Sequence, residues 1–509
     1  MTSSEGISPT IDETAASSGT AGATAELRRY RRPSYLSLAF GVVTMDTSID
    51  MRPLLVLGML YFRQPLDLTR LRTRLRDRLC SLPRFAAMVI DGGSNVSFRA
   101  VPIDSLDMDY HVTDLPVDES DPWTPSKLDT FLSSLNTAEN ELDKTRPLWR
   151  FYHIPRLADG RTLLVPVINH VIGDGMALVS ALLSITDDAP TAPSPSSVAE
   201  PPAAAAAVDT PAPPPVRRSK QPSASLGARI CAALSGCFEA TLALVLPADH
   251  KSRLKLPDHR NPPHARVFAQ SEQVPLEVIK EIKNRFEGAT VNDVLLSLMT
   301  MTMKKYYDEV GEPLPRRMRG IFPINLRDPK QGPPAATMGN NFGQGAFWFP
   351  TSYADPPALV RSVKRQLDRT KINPKPYIEK ALFSCLLPPL LTHGHCLRTV
   401  TRNLLLDVYG KGTALLSNVP GPQSEARLCG EPIEDLMFYS FVPLGVYIGV
   451  LSYNGKVSTG VCCVPSCEPD AWRIAKQWKI AVDELLAASR SLSSEQGGAH
   501  DAYTSVPPE

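Results

Sequence analysis

The alternation of apolar and polar positions predicts two ordered regions, and the first contains a junction between a strand and a helix. In residues 66–84, leucines recur at helical spacing with Arg and Asp opposite them, which predicts an amphipathic helix. Residues 161–169 form a short apolar run after a turn signal, which predicts a buried strand. Residues 176–185 have the spacing of a helix packed on that strand. A strand, a loop and a helix are therefore expected over residues 161–185.

The second half of the chain combines helical and strand-like patterns. Residues 275–286, 291–307 and 469–488 have helical periodicity, and the last of these predicts a closing amphipathic helix. Residues 436–455 carry no charge, but they are rich in Tyr, Phe and Val and contain Pro443 and several glycines. This composition favours buried strands over a membrane span.

Changes in composition predict the domain boundaries. Residues 187–225 are dominated by Pro, Ala and Ser, which bury too little apolar surface to offset the entropy of ordering, so we expect a linker. The ends of the chain are polar and are expected to be disordered. The expected order is a disordered N-terminus, a first lobe, the linker, an apolar segment, a second lobe and a disordered tail. Their ranges are 1–32, 33–186, 187–225, 226–255, 256–490 and 491–509.

The apolar segment after the linker is a candidate for membrane association. Residues 226–246 are long enough to cross a bilayer, but they contain Arg229 and Glu239. An interfacial helix is the favoured interpretation, with a soluble helix and a true span as alternatives.

Overall composition excludes several classes of protein. The 509 residues are 43% apolar and 21% charged, with a formal net charge of +1. This balance is ordinary for a globular protein and gives no support to a nucleic-acid partner. The nine cysteines lack the paired spacing and histidine partners of a zinc site. We therefore expect no metal, and we expect reduced thiols in a protein that faces the cytosol.

The junction after the buried strand contains the candidate chemistry. Residues 169–175 read NHVIGDG, with His170 where the strand ends and Asp174 and Gly175 before the helix. A neutral imidazole suits proton removal from a hydroxyl near physiological pH. We expect Gly175 to permit backbone angles that a side chain forbids, and Asp174 to pair with an arginine, for which Arg327 is the candidate. A buried, hydrogen-bonded histidine before a turn fits the same pattern.

Further motifs along the chain make the interpretation of residues 169–175 more specific. Residues 169–175 resemble the HHxxxDG motif of coenzyme-A-dependent acyltransferases and peptide-synthetase condensation domains. More narrowly, residues 33–490 resemble the bifunctional wax ester synthase / diacylglycerol acyltransferase family. The supporting motifs are DMDYHV at 107–112, PLW at 147–149, TVNDVL at 290–295, PINLR at 323–327, GNNFG at 339–343, SNVPGP at 417–422 and LSYNG at 451–455.

The resemblance implies both a fold and an activity. The fold would be α/β with two lobes of mixed sheets and flanking helices, as in chloramphenicol acetyltransferase. The activity would be O-acyl transfer from acyl-CoA to a fatty alcohol or to diacylglycerol, giving wax esters or triacylglycerol. No cofactor is implied beyond acyl-CoA as co-substrate. The long linker and the apolar segment resemble the membrane-associated branch. The expected location is therefore the cytosolic face of the endoplasmic reticulum, or alternatively the cytoplasm, peripheral on membranes or lipid droplets.

The sequence departs from the family pattern at Asn169, where the family has a first histidine. The resemblance implies that the second histidine, His170, is the base, and Asn169 is expected to orient the loop through its amide.

Four residues outside this loop complete the candidate site. They are Asn292, Asp293, Ser417 and Asn418. Asn292 and Asp293 are expected to cap a helix and, by resemblance, to lie beside the cavity. Ser417 and Asn418 are expected in a rigid turn whose N–H and hydroxyl groups bind developing negative charge.

Two other functions fit the same residues. One is an acyltransferase with a different alcohol or amine acceptor. The other is a catalytically silent lipid-binding homologue, which the replacement of the first histidine by Asn169 suggests.

Overall fold

The computed structural model describes residues 34–46, 52–91, 96–189, 247–328, 338–392 and 395–501. The expected N-terminal region, nearly all of the linker and residues 226–246 lie outside these ranges. None of the helices within the described ranges is both long enough and apolar enough to cross a membrane.

The helices begin at polar caps where the sequence supplies them. Asp67, Thr124 and Asp355 each accept a backbone N–H from the first turn of the helix that follows, which satisfies donors that the helix leaves unpaired. The helices are α1 Tyr35–Met45, α2 Leu68–Arg74, α3 Met108–His111, α4 Pro125–Ser134, α5 Gly175–Ser184, α6 Leu276–Asn284, α7 Val291–Val310, α8 Pro356–Ile372, α9 Lys375–Thr392, α10 His395–Tyr409, α11 Trp472–Ala475 and α12 Gln477–Asp501. A π-helical turn, Leu75–Leu79, continues α2.

The strands form two main sheets and two small hairpin-like pairs. They are β1 Leu55–Phe62, β2 Ala87–Asp91, β3 Val96–Ala100, β4 Val112–Asp114, β5 Trp149–Ile154, β6 Thr162–Asn169, β7 Val267–Gln270, β8 Val274–Pro275, β9 Arg319–Asn325, β10 Phe342–Trp348, β11 Ala414–Pro420, β12 Arg427–Leu428, β13 Glu431–Pro432, β14 Asp435–Ser440, β15 Val446–Tyr453 and β16 Lys456–Cys463.

The first lobe is built on a five-stranded mixed sheet with the order β14-β1-β6-β5-β4. β1 and β6 are buried along their whole length, as expected for central strands covered on both faces. The second lobe is built on a mixed sheet with the order β10-β9-β11-β15-β16-β7, and β8 also pairs with β16. Its core includes side chains of α6, α7, α8 and α12. The expected mixed α/β architecture with two lobes is confirmed.

The lobes are not consecutive along the chain. β14 lies within residues 256–490, which we expected to form the second lobe, but it pairs antiparallel with β1 in the first sheet. The chain then returns to the second sheet as β15. The expectation of buried strands in residues 436–455 is confirmed, and the exchange of β14 ties the lobes together.

A split in the second sheet faces the first lobe. β9 and β11 are parallel neighbours, but they pair only at Ala414 with Gly320 and at Leu415 with Ile321. Beyond these positions β11 continues beside β15 and separates from β9. Diverging parallel strands leave a crevice at their carboxyl ends, where ligands commonly bind in open α/β sheets.

The C-terminal end of the chain differs from expectation. Residues 491–509 were expected to be disordered, but α12 continues to Asp501, and residues 502–509 lie outside the described ranges. Arg490 pairs with Glu281, and Leu492 packs against the second core, so the helix is anchored close to the expected boundary. Helix propagation beyond an anchored turn costs little.

Candidate active site

A cavity of about 260 Å³ lies between the lobes and occupies the split in the second sheet. The first lobe contributes residues of α1, the segment before β1, and the loop that joins β6 to α5. The second lobe contributes β9, β10, β11 and α10, and β14 of the first sheet and the segment after it also line the cavity. Most of the lining is apolar, with side chains such as Phe40, Val179, Leu415 and Phe438. A long apolar substrate group therefore finds a matching environment here.

His170 is part of the cavity wall at the junction of the lobes. Its backbone N–H donates to the carbonyl oxygen of Leu54 at 2.8 Å, which extends the pairing of β6 with β1 by one step. Its ring centroid lies 4.9 Å from that of Phe40 and 6.2 Å from that of Phe342. One phenyl group from each lobe therefore flanks the imidazole.

Asn340 determines which nitrogen of His170 carries the proton. Asn340 Nδ2 donates to the backbone carbonyl oxygen of His170 at 2.7 Å, and Asn340 Oδ1 lies 2.9 Å from His170 Nδ1. A carbonyl oxygen only accepts, so the amide nitrogen must face it and Oδ1 must face the ring. The neutral imidazole is therefore protonated on Nδ1, and the lone pair is on Nε2. Nε2 makes no hydrogen bond to another residue in the described part of the chain.

The environment of His170 favours the neutral imidazole. Burial lowers its pKa below the ordinary value of 6.5, and the nearby Asp174 carboxylate and the Asn340 hydrogen bond oppose this effect. A base must be unprotonated before it acts, so the lowered pKa keeps His170 ready at neutral pH.

Asp174 holds the loop and does not contact the imidazole directly. Its Oδ1 accepts the N–H of Ala177 at 3.0 Å and thereby caps α5. Its Oδ2 accepts from Arg327 at 2.8 Å and from the N–H of Asn341 at 2.9 Å. The expected pairing with Arg327 is confirmed, and both side chains of the pair are nearly buried. Asp174 thus connects the first lobe to the loop before β10 of the second.

Arg84 and Gly339 complete the connection. Arg84 donates to the carbonyl oxygen of Val171 at 2.7 Å and to the hydroxyl of Ser37 at 3.0 Å. Gly339 has a φ of +82°, and a Cβ there would lie 2.7 Å from an Arg84 nitrogen. Glycine is required at this position because both the backbone angle and the guanidinium exclude a side chain.

Asn169 has the orienting contact expected of it, directed away from the cavity. The residue is only 1% exposed. Its Oδ1 accepts the N–H of Val171 at 3.0 Å, and its Nδ2 donates to Thr44 at 3.1 Å. The amide therefore fixes the first turn of the loop and anchors it to α1.

The role expected for Gly175 is wrong. Its φ is outside the left-handed region, and a Cβ there would meet only Val419, at an ordinary 3.7 Å. Gly175 is the first residue of α5 and lines the cavity, so the absence of a side chain keeps space open beside Val419.

Ser417 and Asn418 line the cavity, but they lie in β11 and not in a turn. The prolines and glycine of the motif misled the interpretation, because the turn begins only after Pro420. Asn418 Nδ2 donates to Asn292 Oδ1 at 2.6 Å. Their polar groups therefore reach the cavity from a strand.

Asn292 and Asp293 have separate roles at the start of α7. Thr290 is the N-cap, and Asp293 returns the bond to its N–H in a capping box. Asp293 is fully buried and is not part of the cavity lining among the described residues. Asn292 does not cap the helix; it contacts Asn418 and so lies next to the cavity wall. Of the four expected residues, three are brought together at the cavity.

Two functional candidates were missed by sequence reasoning. Asn340 belongs to the GNNFG stretch, which we matched only as a motif, so its position 170 residues after the histidine gave no hint of contact. Tyr447 lines the cavity within a strand that reads only as apolar. A search for polar residues inside the matched motifs points to Asn340, whereas no sequence signal identifies Tyr447.

Comparison with known proteins agrees with this architecture. Residues 48–295 match the family model described as the wax ester synthase/diacylglycerol acyltransferase catalytic domain. Residues 338–486 match the model of the WS/DGAT C-terminal domain. A protein of Mycobacterium tuberculosis described as a diacylglycerol O-acyltransferase is 26% identical over 380 residues, covering 68% of this chain and 69% of that protein. A Mycobacterium bovis protein with the same description is 27% identical over 408 residues, covering 76% and 83%.

Solved structures show the same fold at low sequence identity. The wax ester synthase/diacylglycerol acyltransferase from Marinobacter aquaeolei VT8 is 17% identical, with a TM-score of 0.52 over 86% of this chain and 96% of that one. A cyclization-docking bidomain of a peptide synthetase from Sorangium cellulosum is 13% identical, with a TM-score of 0.53 over 91% of this chain and 85% of that one. The two-lobed, chloramphenicol-acetyltransferase-like fold expected from the sequence is confirmed.

Proposed function

Because the chain belongs to the wax ester synthase/diacylglycerol acyltransferase family, we propose that it moves a long-chain acyl group from acyl-CoA to a fatty alcohol or to diacylglycerol, with His170 as the general base. Acyl transfer itself follows from the family. The observation that supports the role of His170 is its geometry: Nδ1 is occupied by Asn340, and Nε2 remains available beside an apolar cavity.

The proposed reaction is direct and needs no acyl-enzyme. Nε2 of His170 removes the proton of the acceptor hydroxyl as its oxygen attacks the thioester carbonyl carbon. The tetrahedral intermediate then breaks its carbon–sulfur bond, which forms the ester. The imidazolium returns its proton to the departing thiolate, so free coenzyme A leaves and His170 is neutral again.

Negative charge on the intermediate oxygen needs hydrogen-bond donors. We propose that Ser417 and Asn418 supply them, because both line the same cavity as His170. Asn292 accepts a hydrogen bond from one N–H of the Asn418 amide. This contact positions the second N–H of Asn418 for the oxyanion. Donors placed before the reaction stabilise an oxyanion without reorganisation. Asp174 acts as a positioning residue, since hydrogen-bond donors occupy both of its oxygens.

The nature of the cavity supports a lipid acceptor. Its lining is mainly aliphatic and aromatic, and the related mycobacterial proteins are described as diacylglycerol O-acyltransferases. We further propose that the protein works at a lipid surface, either the cytosolic face of the endoplasmic reticulum or a lipid droplet, because such acceptors partition out of water.

The decisive experiment replaces the base. His170→Ala should lower ester formation by at least about 10²-fold, since positioned proton transfer contributes roughly 10²–10⁴-fold. Product from radiolabelled palmitoyl-CoA with hexadecanol or diacylglycerol is measured by thin-layer chromatography. His250→Ala is the matched control, because His250 is exposed and outside the cavity lining. Equal activity in His170→Ala and wild type would refute the proposal.

Competition between acceptors separates the two products. Hexadecanol and diacylglycerol are offered together to the wild-type protein, and the ratio of wax ester to triacylglycerol reports the preferred acceptor. If the wild type forms no ester from any acyl-CoA with any alcohol or amine, the catalytically silent alternative replaces this proposal.

A further inference from the structure

Exposed apolar side chains are concentrated in residues 372–404, which include α9 and most of α10. Twelve large apolar side chains are exposed within the described residues, and seven of them lie between residues 372 and 404. These seven define what we call the outer surface: Ile372, Tyr377, Leu382, Leu386, Leu397, Val400 and Leu404. Apolar clusters of this kind mark interaction sites, whereas scattered single residues do not.

The spacing of these residues places them on single helix faces. Leu382 and Leu386 are four residues apart on α9, and Leu397, Val400 and Leu404 follow a three-four spacing on α10. Other positions of α9 are buried, because Leu387 and Leu391 belong to the first core. The exposed faces are therefore what remains after both helices have packed on the protein.

A basic stretch of sequence, which we call the basic border, adjoins the exposed apolar positions of α9. Residues 361–380 contain seven Lys or Arg (Arg361, Lys364, Arg365, Arg369, Lys371, Lys375 and Lys380) and two acidic residues, Asp368 and Glu379. Lys364, Lys371 and Lys375 pair with the two carboxylates and Lys380 donates to Asn341, so the excess positive charge at the surface comes mainly from the three arginines. Residues 381–397 contain no charged side chain of either sign. An apolar helix face next to a basic border matches a lipid surface with anionic headgroups. It suits a second copy of this chain poorly, because the basic border would face another of the same sign.

The outer surface and the cavity share α10. Arg402, Leu405, Leu406 and Tyr409 line the cavity, while Val400 and Leu404 are exposed on the other side of the same helix. A lipid held at the outer surface is therefore separated from the cavity by one helix.

We propose that the outer faces of α9 and α10 dock the protein onto an anionic lipid surface and bring the cavity mouth to its acceptor. Binding of these faces to an anionic lipid surface is supported by the exposure, spacing and charge of the residues described above. That binding brings the cavity mouth to its acceptor rests on the proposed function.

Vesicle flotation tests the docking. Purified full-length protein is mixed with vesicles of phosphatidylcholine containing 30% phosphatidylglycerol, and separately with vesicles of phosphatidylcholine alone. The wild type should float with the anionic vesicles and bind the neutral ones more weakly. The double variant Leu382→Glu/Leu386→Glu should partition at least about 10-fold less, because each change removes apolar burial and adds negative charge. Ile480→Glu, at an equally exposed residue outside the outer surface, should bind like the wild type.

Two activity assays separate docking from catalysis. With hexanol, which is dissolved in water, the double variant should form ester at the wild-type rate, which also shows that it is folded. With diacylglycerol embedded in anionic vesicles, its rate should fall together with its binding. A wild type that floats but forms no ester would refute the proposed function and leave the docking intact.

Three results would overturn the docking proposal. The first is a wild type that does not float with anionic vesicles. The second is flotation that survives the double substitution, which would assign binding to another segment such as residues 226–246. The third is a lipid-free wild-type dimer that the double substitution converts to monomer in sedimentation, which would identify a second copy as the occupant.

Discussion

At the scale of single residues, the chemistry of His170 depends on an amide from the other lobe. Asn340 binds both the ring Nδ1 and the backbone carbonyl oxygen of the histidine, so it controls tautomer and orientation together. Asn340→Ala should reduce turnover by about 10–100-fold, part of the roughly 10²–10⁴-fold that a positioned base contributes. Asn341→Ala is the matched control, because its side chain accepts from Lys380 and does not touch the imidazole.

A pH profile separates this positioning role from a merely structural one. The base must be neutral, and burial lowers the pKa of His170, so the acid limb of the wild-type rate should have its midpoint below pH 6.5. Asn340→Asp places a carboxylate beside the ring. This change favours the imidazolium, raises the pKa of His170 and should move the acid limb to higher pH. An acid limb that is identical in wild type and Asn340→Asp would argue against contact between these groups in solution.

At the scale of elements, Asp174 connects the start of α5 in the first lobe to the second lobe. Its carboxylate accepts hydrogen bonds from Ala177, Asn341 and Arg327. In an asparagine, the NH₂ group would face at least one of these three N–H donors and could not accept a hydrogen bond from it. Asp174→Asn should therefore lower the free energy of unfolding by about 3 kcal/mol, as expected for breaking a nearly buried ion pair. Urea denaturation followed by circular dichroism measures this loss.

The control for Asp174→Asn is an ion pair on the surface. Asp159 pairs with Arg161, but both side chains are well exposed, so Asp159→Asn should cost less than about 1 kcal/mol. Similar losses in the two variants would mean that the Asp174 contacts do not stabilise the folded protein.

The elements themselves were largely readable from the sequence. β6 and α5 were predicted within a residue or two, because apolar periodicity and turn residues are local signals. β11 was mistaken for a turn, since two prolines and a glycine dominate its end while its parallel pairing with β15 is invisible locally. Contacts between segments that are far apart in the sequence leave no local pattern. The pairing of β14 with the first sheet and the contact of Asn340 with His170 were therefore not predictable.

At the scale of the whole molecule, β14 makes the two lobes one packing unit. Met437 pairs with Met59 in the first sheet, yet it also packs against the second sheet, where a Cβ at Gly460 would lie 2.8 Å from its side chain. Tyr439 of the same strand packs its ring against Phe268 of β7, with centroids 5.3 Å apart. Separation of the lobes would therefore expose apolar surface in both, so the cavity between them is held by a strand that belongs to each.

Met437→Ala tests this coupling, because it removes buried atoms where the sheets meet. The expected cost is about 2–5 kcal/mol, the usual range for a large-to-small change in a core. Unfolding is followed by tryptophan fluorescence in two variants that each keep one tryptophan as the probe. One variant keeps Trp149 in the first core, and the other keeps Trp478 in the second core. If the lobes unfold together, both probes give one midpoint and shift equally in Met437→Ala. Two separate midpoints, with a shift confined to the Trp149 probe, would show that β14 serves the first lobe alone and that the site is assembled from independently folded halves.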